Sequence, residues 1–296
     1  MANTILSVTE YANRAVDYLA RRKSLLSTLD LGYVGPEMAA NKGETVNVAK
    51  PPSFTAVAYN GATLGSMQDI NQGTVAVTLD TDVIVPVELS LREAGKSAND
   101  VESTIIAPAM DAFTKSFDAS ILTAFAAGDT LTAIPEATQS IAQMELGLVA
   151  LRDAECPMND LHYAVANSDA STLRQIQALY SQDVNMRNNN QMSGDVVGAY
   201  AGMDIFGTNA ISAAGATTSN WMYDSKFATV AMRPLNTLAV AGAEVGTAFY
   251  EGMAITVTKQ WNSATQASIL VFRALYGAKV LDGNRGINII SDGLGD

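Results

Sequence analysis

The stretch "TVAVTLDTDVIVPVEL", residues 74–89, decides how this chain folds. Its odd positions are Val75, Val77, Leu79, Thr81, Val83, Val85, Val87 and Leu89, apolar except for Thr81, and its even positions are mostly Thr, Asp or small. That two-residue period is the mark of a strand with one covered face. Read as a single strand, the run approaches ~50 Å at about 3.3 Å per residue, far longer than most strands. Pro86 marks an edge or a break near its end. The upstream segment "GETVNVAKPPSF" (43–54) also starts as a strand, with Val46 and Val48 alternating with Thr and Asn. It then meets Pro51-Pro52, which no central strand tolerates. Between the limbs, residues 51–73 carry Asp69 as their only charge. The pattern predicts a long two-stranded hairpin with a loose tip. A two-stranded ribbon is marginal by itself, so its apolar side, projecting beyond a compact body, needs another chain to cover it.

Helical periods flank the hairpin. Residues 7–29 read as a helix, with Ser7 and Glu10 in capping-box spacing and Tyr11, Ala15, Leu19, Leu26 and Leu29 on one side. Arg21, Arg22 and Lys23 form the densest basic run. It is either a solvated helix face or an arm that docks on an acidic neighbour or anionic contents. Residues 31–42 read as a loop. In 99–128, Ile105, Ile106, Ala109, Met110, Phe113, Phe117, Ile121, Leu122 and Phe125 make one stripe at i, i+3/i+4 spacing, and Gly128 fits the position just past a helix end. Pro108 predicts a short helix, a kink, and then a helix of about 18 residues, roughly 27 Å. The spacing predicts a further helix over 138–155 stopped by Pro157, a buried strand "LHYAVAN" (161–167), a capped helix from 168 and a polar mobile loop over 183–195. From about 246 the chain reads as β. "MAITVTKQ" and "ASILVFRALYGAKVL" flank "WNSAT" as a hairpin, with Ile269, Leu270, Val271, Phe272, Leu275 and Val280 on both faces of the longer strand, which predicts that both are buried. "INII" (287–290) closes the structured part, and "SDGLGD" reads as a loose tail. The fold class is mixed α+β, without the regular α/β alternation of a doubly wound sheet.

Composition limits the function. The 296 residues suffice for a real core. Charged residues make up only 16%, against an ordinary figure of about 25%. Charge depletion marks surface that ends inside interfaces, although an Ala/Gly-rich enzyme surface would look the same. The net charge is −12; the first 50 residues carry six basic and five acidic groups, so the rest carries −13. An acidic chain gains no affinity from counterion release on nucleic acid, yet it could enclose DNA without adhering to it. With Cys156 as the only cysteine, no intrachain disulfide forms. No signal-peptide pattern and no apolar run of about 18 residues appears, so no membrane span is expected.

Little in the sequence points to catalysis. The single histidine, His162, has no Cys or His at ligand spacing and reads as a packed or half-exposed strand residue. Cys156 precedes Pro157 six residues before His162, which is weak evidence for a nucleophile and reads as a buried thiol. Asp80 and Asp82 share a strand face and could meet a cation; a solvated polar face is the plainer reading. No phosphate-binding loop, nucleophile elbow or nucleotide fingerprint occurs. No metal, no cofactor and no catalytic residue is expected, leaving a soluble α+β enzyme using carboxylates as the alternative of another class.

The ordered set comprises an N-terminal helical segment, "KGETVNVAKPPSF", the long return strand, a helix ending "AFAAG", "LHYAVANSDASTLRQIQ", "GMDIFGTNAI", "YDSKFATVAMRP" and a closing "FRALYGAKVLDGNRGINII". It resembles the major capsid (coat) proteins of tailed double-stranded DNA phages, with the Hong Kong 97-type fold. The nearest flavour is the short-tailed-phage coat group with its "G-[ED]-T-V-x-V-x-K-P" segment, here without the large inserted domain some members carry. The resemblance spans nearly the whole chain in element order. It implies an N-terminal arm (1–42), an extended loop (43–90), a peripheral domain with the spine helix (91–136), an axial domain (137–245), and peripheral return strands with the C-terminal tail (246–296). It implies that many copies close, as pentamers and hexamers, into an icosahedral shell around double-stranded DNA bound without sequence specificity. The usual partners are a portal and a scaffolding protein, and the usual place is the virion, assembled in the bacterial cytoplasm. The extended loop would make the intersubunit contact through Val46, Val48, Lys50, Pro51, Pro52, Phe54, Val75, Val77 and Leu79. Some relatives cross-link through a Lys–Asn bond; Lys50 is the nearest candidate, and with no acidic catalyst placed beside it no cross-link is expected. No cleaved leader is expected either, since the arm starts near Met1. An encapsulin-like bacterial nanocompartment, which shares this fold, stays open as an alternative.

Overall fold

The computed structural model describes residues 7–21, 24–31, 45–49, 56, 73–90, 102–176, 196–211, 217–235, 243–264 and 267–292. At its centre is β11 (Ala267–Val280). One edge of β11 pairs antiparallel with β3 (Thr81–Ser90), and the other pairs first with β10 (Met253–Asn262) and then with β8 (Ala228–Arg233). β9 (Ala243–Tyr250) follows β10 and ends the sheet.

Two helices cover one face of this sheet. α1 (Val8–Arg21) buries Tyr11, Ala12, Ala15, Val16 and Leu19 and packs on β9 and β10. Its start is the expected capping box: Ser7 Oγ accepts from the Glu10 N–H at 3.3 Å, and the Ser7 N–H donates to Glu10 Oε2 at 2.7 Å. The helix stops at Arg21, well short of the expected 29, and Leu25–Thr28 form a separate 3-10 turn. α2 (Ala107–Gly128) lies along β11. Phe113, Phe117, Ile121 and Phe125 on its stripe are fully buried. Pro108 falls in the first turn, where its missing N–H costs nothing. The expected kink is a π-turn at Glu102–Ile106, and the helix runs 22 residues rather than 18.

Because helices cover only one face, β11 is fully buried on that side, while its other side is only partly covered. Leu270, Phe272, Ala274 and Tyr276 are inaccessible, while Ile269, Val271 and Leu275 are half-buried. The expectation that both faces are buried is therefore corrected for the single chain.

The second sheet runs β12-β7-β4-β6-β5: β12 (Gly286–Ser291), β7 (Thr218–Asp224), β4 (Leu161–Ala166), β6 (Met203–Thr208) and β5 (Val196–Tyr200). Only the β4–β6 pair is parallel. α3 (Ile141–Asp153), capped by Ser140, and α4 (Asn167–Arg174) belong to this half. Met144, Leu148 and Leu151 of α3 share a core with Tyr163, Ile205, Met222, Ile287 and Ile289. The expected mobile loop over 183–195 lies outside the described residues. β12 pairs here and not in the first sheet, whereas β8 leaves this half to pair with β11. A boundary at 245/246 therefore does not separate the two sheets. β7 and β8 are consecutive yet belong to different sheets, which couples the halves through the turn at Ser225–Phe227.

The run over 74–89 is two strands rather than one. β2 (Thr74–Thr78) pairs antiparallel with β1 (Thr45–Ala49) over five residue pairs, from Thr45–Thr78 to Ala49–Thr74. The chain breaks at Leu79-Asp80, and β3 joins the main sheet. Side-chain alternation survives the break: odd positions face inward and even ones outward from 74 to 88. Periodicity reports which side is covered, not which strand does the pairing. Pro86 sits in β3 at the sheet edge, where no partner strand needs its missing N–H.

Candidate assembly surfaces

The β1–β2 ribbon does not offer its apolar side to solvent. Val48, Val77 and Leu79 are 3%, 0% and 5% exposed. They form a small core with Ala231, flanked by Val46, Leu275 and Leu281 of the same chain. Lys279 Nζ donates to the Ala76 carbonyl at 2.8 Å and ties β2 down. Of the residues expected to wait for a neighbour, Val48, Val77 and Leu79 are instead covered in cis, whereas Val46 and Val75 are half-buried. A short ribbon takes the nearest apolar cover, here the β8–β11 end of its own sheet. Lys50, Pro51, Pro52 and Phe54 lie outside the described residues, as do Arg22 and Lys23; Arg21 is exposed at the end of α1.

The large apolar side chains that do face solvent lie elsewhere. Among the described residues they are Ile84 on β3, Leu146 and Val149 on α3, Phe249 and Tyr250 at the end of β9, and Trp261 near the β10–β11 turn, each about half exposed. Leu146 and Val149 are three apart and stand on one helix face. Ile84 stands out as the one large aliphatic at an even position of β3; Arg273 beside it on β11 pairs with Asp82. The Arg273 Nε–H donates to Asp82 Oδ1 at 2.9 Å and holds that carboxyl below its ordinary value. Asp82 is therefore occupied by an ion pair, and Asp80 Oδ1 accepts from Thr81 Oγ1 at 3.0 Å; the two do not form a cation site.

One internal cluster joins the two halves and another ties the second half together; sequence reading placed Phe125 on its helix stripe but singled out neither cluster. Phe125, at the end of α2, meets Trp221 at 5.6 Å, Tyr223 at 5.0 Å and Phe227 at 4.9 Å between ring centroids. Asp169, in the first turn of α4, is fully buried. Its Oδ2 accepts from Thr218 Oγ1 at 2.6 Å and Asn220 Nδ2 at 2.5 Å, and its Oδ1 accepts from Ser291 Oγ at 2.8 Å. Asn220 Oδ1 in turn accepts from the Ala166 N–H at 2.8 Å. One carboxylate thus ties α4 to β7 and β12, with β4 held one bond further on.

The groups considered for chemistry are not assembled. His162 Nε2 lies 3.4 Å from Asp160 Oδ1, and its side chain is largely covered on β4. Burial, reinforced by the Asp224 carboxylate, pushes the Cys156 thiol up to about 11, so at neutral pH it is no nucleophile. Among the described residues no group of three or more His, Cys, Asp and Glu side chains could hold a metal. An open cleft of about 470 Å³ lies where the end of α1, the 3-10 turn and the β9–β10 turn meet. Among the described residues its lining includes Leu19, Leu26, Leu29 and Met253 with Asp30 and Glu251.

No protein-family model and no curated protein matches this sequence. Solved structures do match the fold. A chain from Mycobacterium phage Che8 aligns over 90% of this chain and 91% of its own, with a TM-score of 0.61 at 14% identity. The capsid of Ralstonia phage GP4 aligns over 93% and 92%, with a TM-score of 0.60 at 14% identity. This is the Hong Kong 97-type capsid fold. A virus-like particle from Pyrococcus furiosus shares it over 95% of this chain and 97% of its own, with a TM-score of 0.52 at 11% identity. At such identities the likeness is one of fold, and it takes in nine-tenths or more of each of these chains. The Hong Kong 97-type fold explains the architecture above: a spine helix over a long sheet, a separate second sheet, and a ribbon leaving the first.

Proposed function

We propose that many copies of this chain close into an icosahedral shell that encloses double-stranded DNA. The observation that carries the reading is the end-to-end agreement with the capsid of Ralstonia phage GP4, 93% of one chain on 92% of the other. The surface supports it. Half-exposed Ile84, Leu146, Val149, Phe249, Tyr250 and Trp261 are spread over the first sheet and α3, as expected of a subunit with neighbours on several sides. Each contact need only be weak, since closure multiplies it. A net charge of −12 keeps the inner wall from gripping the genome.

On this reading the chain is a structural protein and not an enzyme, and it meets its own copies as pentamers and hexamers. Residues 1–42 act as an N-terminal arm carrying Arg21, Arg22 and Lys23, and the segment that includes Lys50, Pro51, Pro52 and Phe54 is the part of the extended loop that reaches a neighbour. A scaffolding protein and a portal act with it in the bacterial cytoplasm, and the finished shell is the virion capsid.

Sedimentation velocity and negative-stain microscopy of the purified chain, with a co-expressed scaffold if needed, test this. Closed particles of megadalton mass are expected, and a monodisperse monomer or small oligomer under all these conditions overturns it. Nuclease-protected DNA inside particles from infected cells is expected as well; a protein cargo in its place identifies a nanocompartment instead. Deleting residues 51–72 should abolish native-sized shells if the loop reaches a neighbour.

A further inference from the structure

The sheets treat their edges unequally. β3 carries Pro86. β12 has its outer edge met by Ile134, which bridges Ile289 and exchanges backbone hydrogen bonds with Asn288 and Ile290. β5 has an irregular register at Gly198. Proline, cover and a bulge are the devices by which an edge is kept from pairing. β9 has none of them. It is eight residues long, free of proline and regular in register. Its single acid, Glu244, is exposed and shares the side of Gly246 and Ala248, which faces α1, and nothing among the described residues pairs with its outer edge.

The direction of its backbone groups follows from the turn. Glu251 and Gly252 have φ of +48° and +83°, the two-residue turn that makes Tyr250 and Met253 a hydrogen-bonded pair. Alternation along the ladder then turns the N–H and C=O of Phe249, Thr247, Val245 and Ala243 outward. β9 cannot rotate to hide them, because Gly246 lies against the backbone of Val8 and Thr9, where a Cβ would come to 2.6 Å.

Among the described residues β1 is open as well, since it pairs with β2 on one side only. It spans five residues, which fits within β9, and it belongs to a different sheet. Its inward face is committed to its own subunit through Val48. Edge pairing uses main chain alone, so β1 can keep that seat and still bind. Charge neither favours nor opposes it: Glu44 and Lys50 flank β1, and Glu244 and Glu251 stand at the two ends of β9, so one end of the pairing attracts and the other repels.

We propose that the outer edge of β9 is completed by β1 of a second copy, giving a sheet continuous across the subunit boundary. The identity of the partner rests on the shell reading. A contact between two unlike edges is head-to-tail, and it closes into a ring when the rotation allows.

Thr247→Pro removes one outward N–H and leaves every bond to β10 intact. The variant subunit should keep its circular dichroism and melting temperature while assembly falls by about tenfold or more. In a Cys156→Ser background, Thr247→Cys combined with Thr45→Cys, Asn47→Cys or Ala49→Cys should give covalent ladders from assembled particles in at least one pairing. Wild-type-like assembly of Thr247→Pro, or particles without ladders from all three pairings, overturns the edge pairing while leaving the shell standing. A Thr247→Pro subunit that no longer folds overturns it too, since the edge is then completed within its own chain. If the wild type forms no particle, the shell reading falls by itself. The same cysteine pairs then decide on concentrated soluble protein, where cross-linked dimers support the edge contact and their absence ends it.

Discussion

The carbonyl oxygen of Thr78 lies over Gly277 so closely that a Cβ there would come within 1.9 Å of it. The end of β2 thus crosses β11 where β11 has no side chain. The neighbour it would strike is backbone and cannot swing aside. Gly277→Ala should unseat the ribbon and open the Val48–Val77–Leu79 core, at a cost of about 1–3 kcal/mol. Limited proteolysis reads this directly: cleavage within 45–80 should accelerate while the rest of the chain resists. Unchanged cleavage and an unchanged denaturation midpoint would refute the crossing.

Phe125 is the ring on which both halves converge. Phe125→Ala removes a fully buried aromatic with three aromatic neighbours, and such truncations cost about 3–5 kcal/mol. Because Trp221 and Tyr223 belong to one sheet and Phe227 adjoins the other, the two should lose stability together. Urea unfolding followed by tryptophan fluorescence and by far-ultraviolet dichroism should give coincident, lowered midpoints. A midpoint within error of wild type would show that the cluster does not join the halves.

Asp169→Ala leaves Thr218, Asn220 and Ser291 without their shared acceptor in a fully buried site. Donors orphaned in this way and the loss of charge-assisted bonds give a destabilisation of about 3 kcal/mol. Hydrogen exchange separates this from a general effect: protection should fall first at the β7–β12 pair, before β11. Uniform loss of protection would point to global unfolding instead.

Cys156 makes the fold sensitive to alkali. The unfolded thiol ionises near 9.0, whereas the native one holds its proton to about 11. Its contribution to stability is complete below pH 9.0 and declines as pH rises toward 11. Denaturation midpoints across that window should fall more steeply for wild type than for Cys156→Ala, with the difference isolating the thiol from the buried tyrosines Tyr163 and Tyr223, which are also pushed upward. Parallel slopes would remove Cys156 from the account.

What the sequence made legible was governed by period and by local chemistry. The stripe from Ile105 to Phe125 marked the spine helix because a covered helix face repeats every three to four residues. Ser7 and Glu10 marked a helix start because the capping box is closed within one turn. The return strand was misread for the opposite reason. Val75 through Leu89 keep one alternation, yet Thr78 and Thr81 belong to different sheets, and no local signal separates strands whose covered sides agree. The apolar side of the ribbon was assigned to a neighbour because Ala231 and Leu275, which cover it, lie roughly 150 residues or more away in sequence. Asp169 was missed since Ser, Thr, Asn and Asp are common, and only the fold brings residues 169, 218, 220 and 291 together. The open edge of β9 had no sequence signal beyond the absence of proline.

The place of β11 in the chain also sets the order of folding. Asp82 and Arg273, neighbours in the finished sheet, are 191 residues apart. During synthesis β3 emerges with its Val83, Val85, Val87 and Leu89 side ready, and waits for most of the remaining chain before its partner exists. Long-range pairing of this kind is slow, and the exposed strand is prone to aggregate meanwhile. The half-made subunit therefore depends on being shielded until its last strands arrive, so the yield of soluble protein should respond to chaperone supply and to growth temperature before it responds to anything at the subunit contacts.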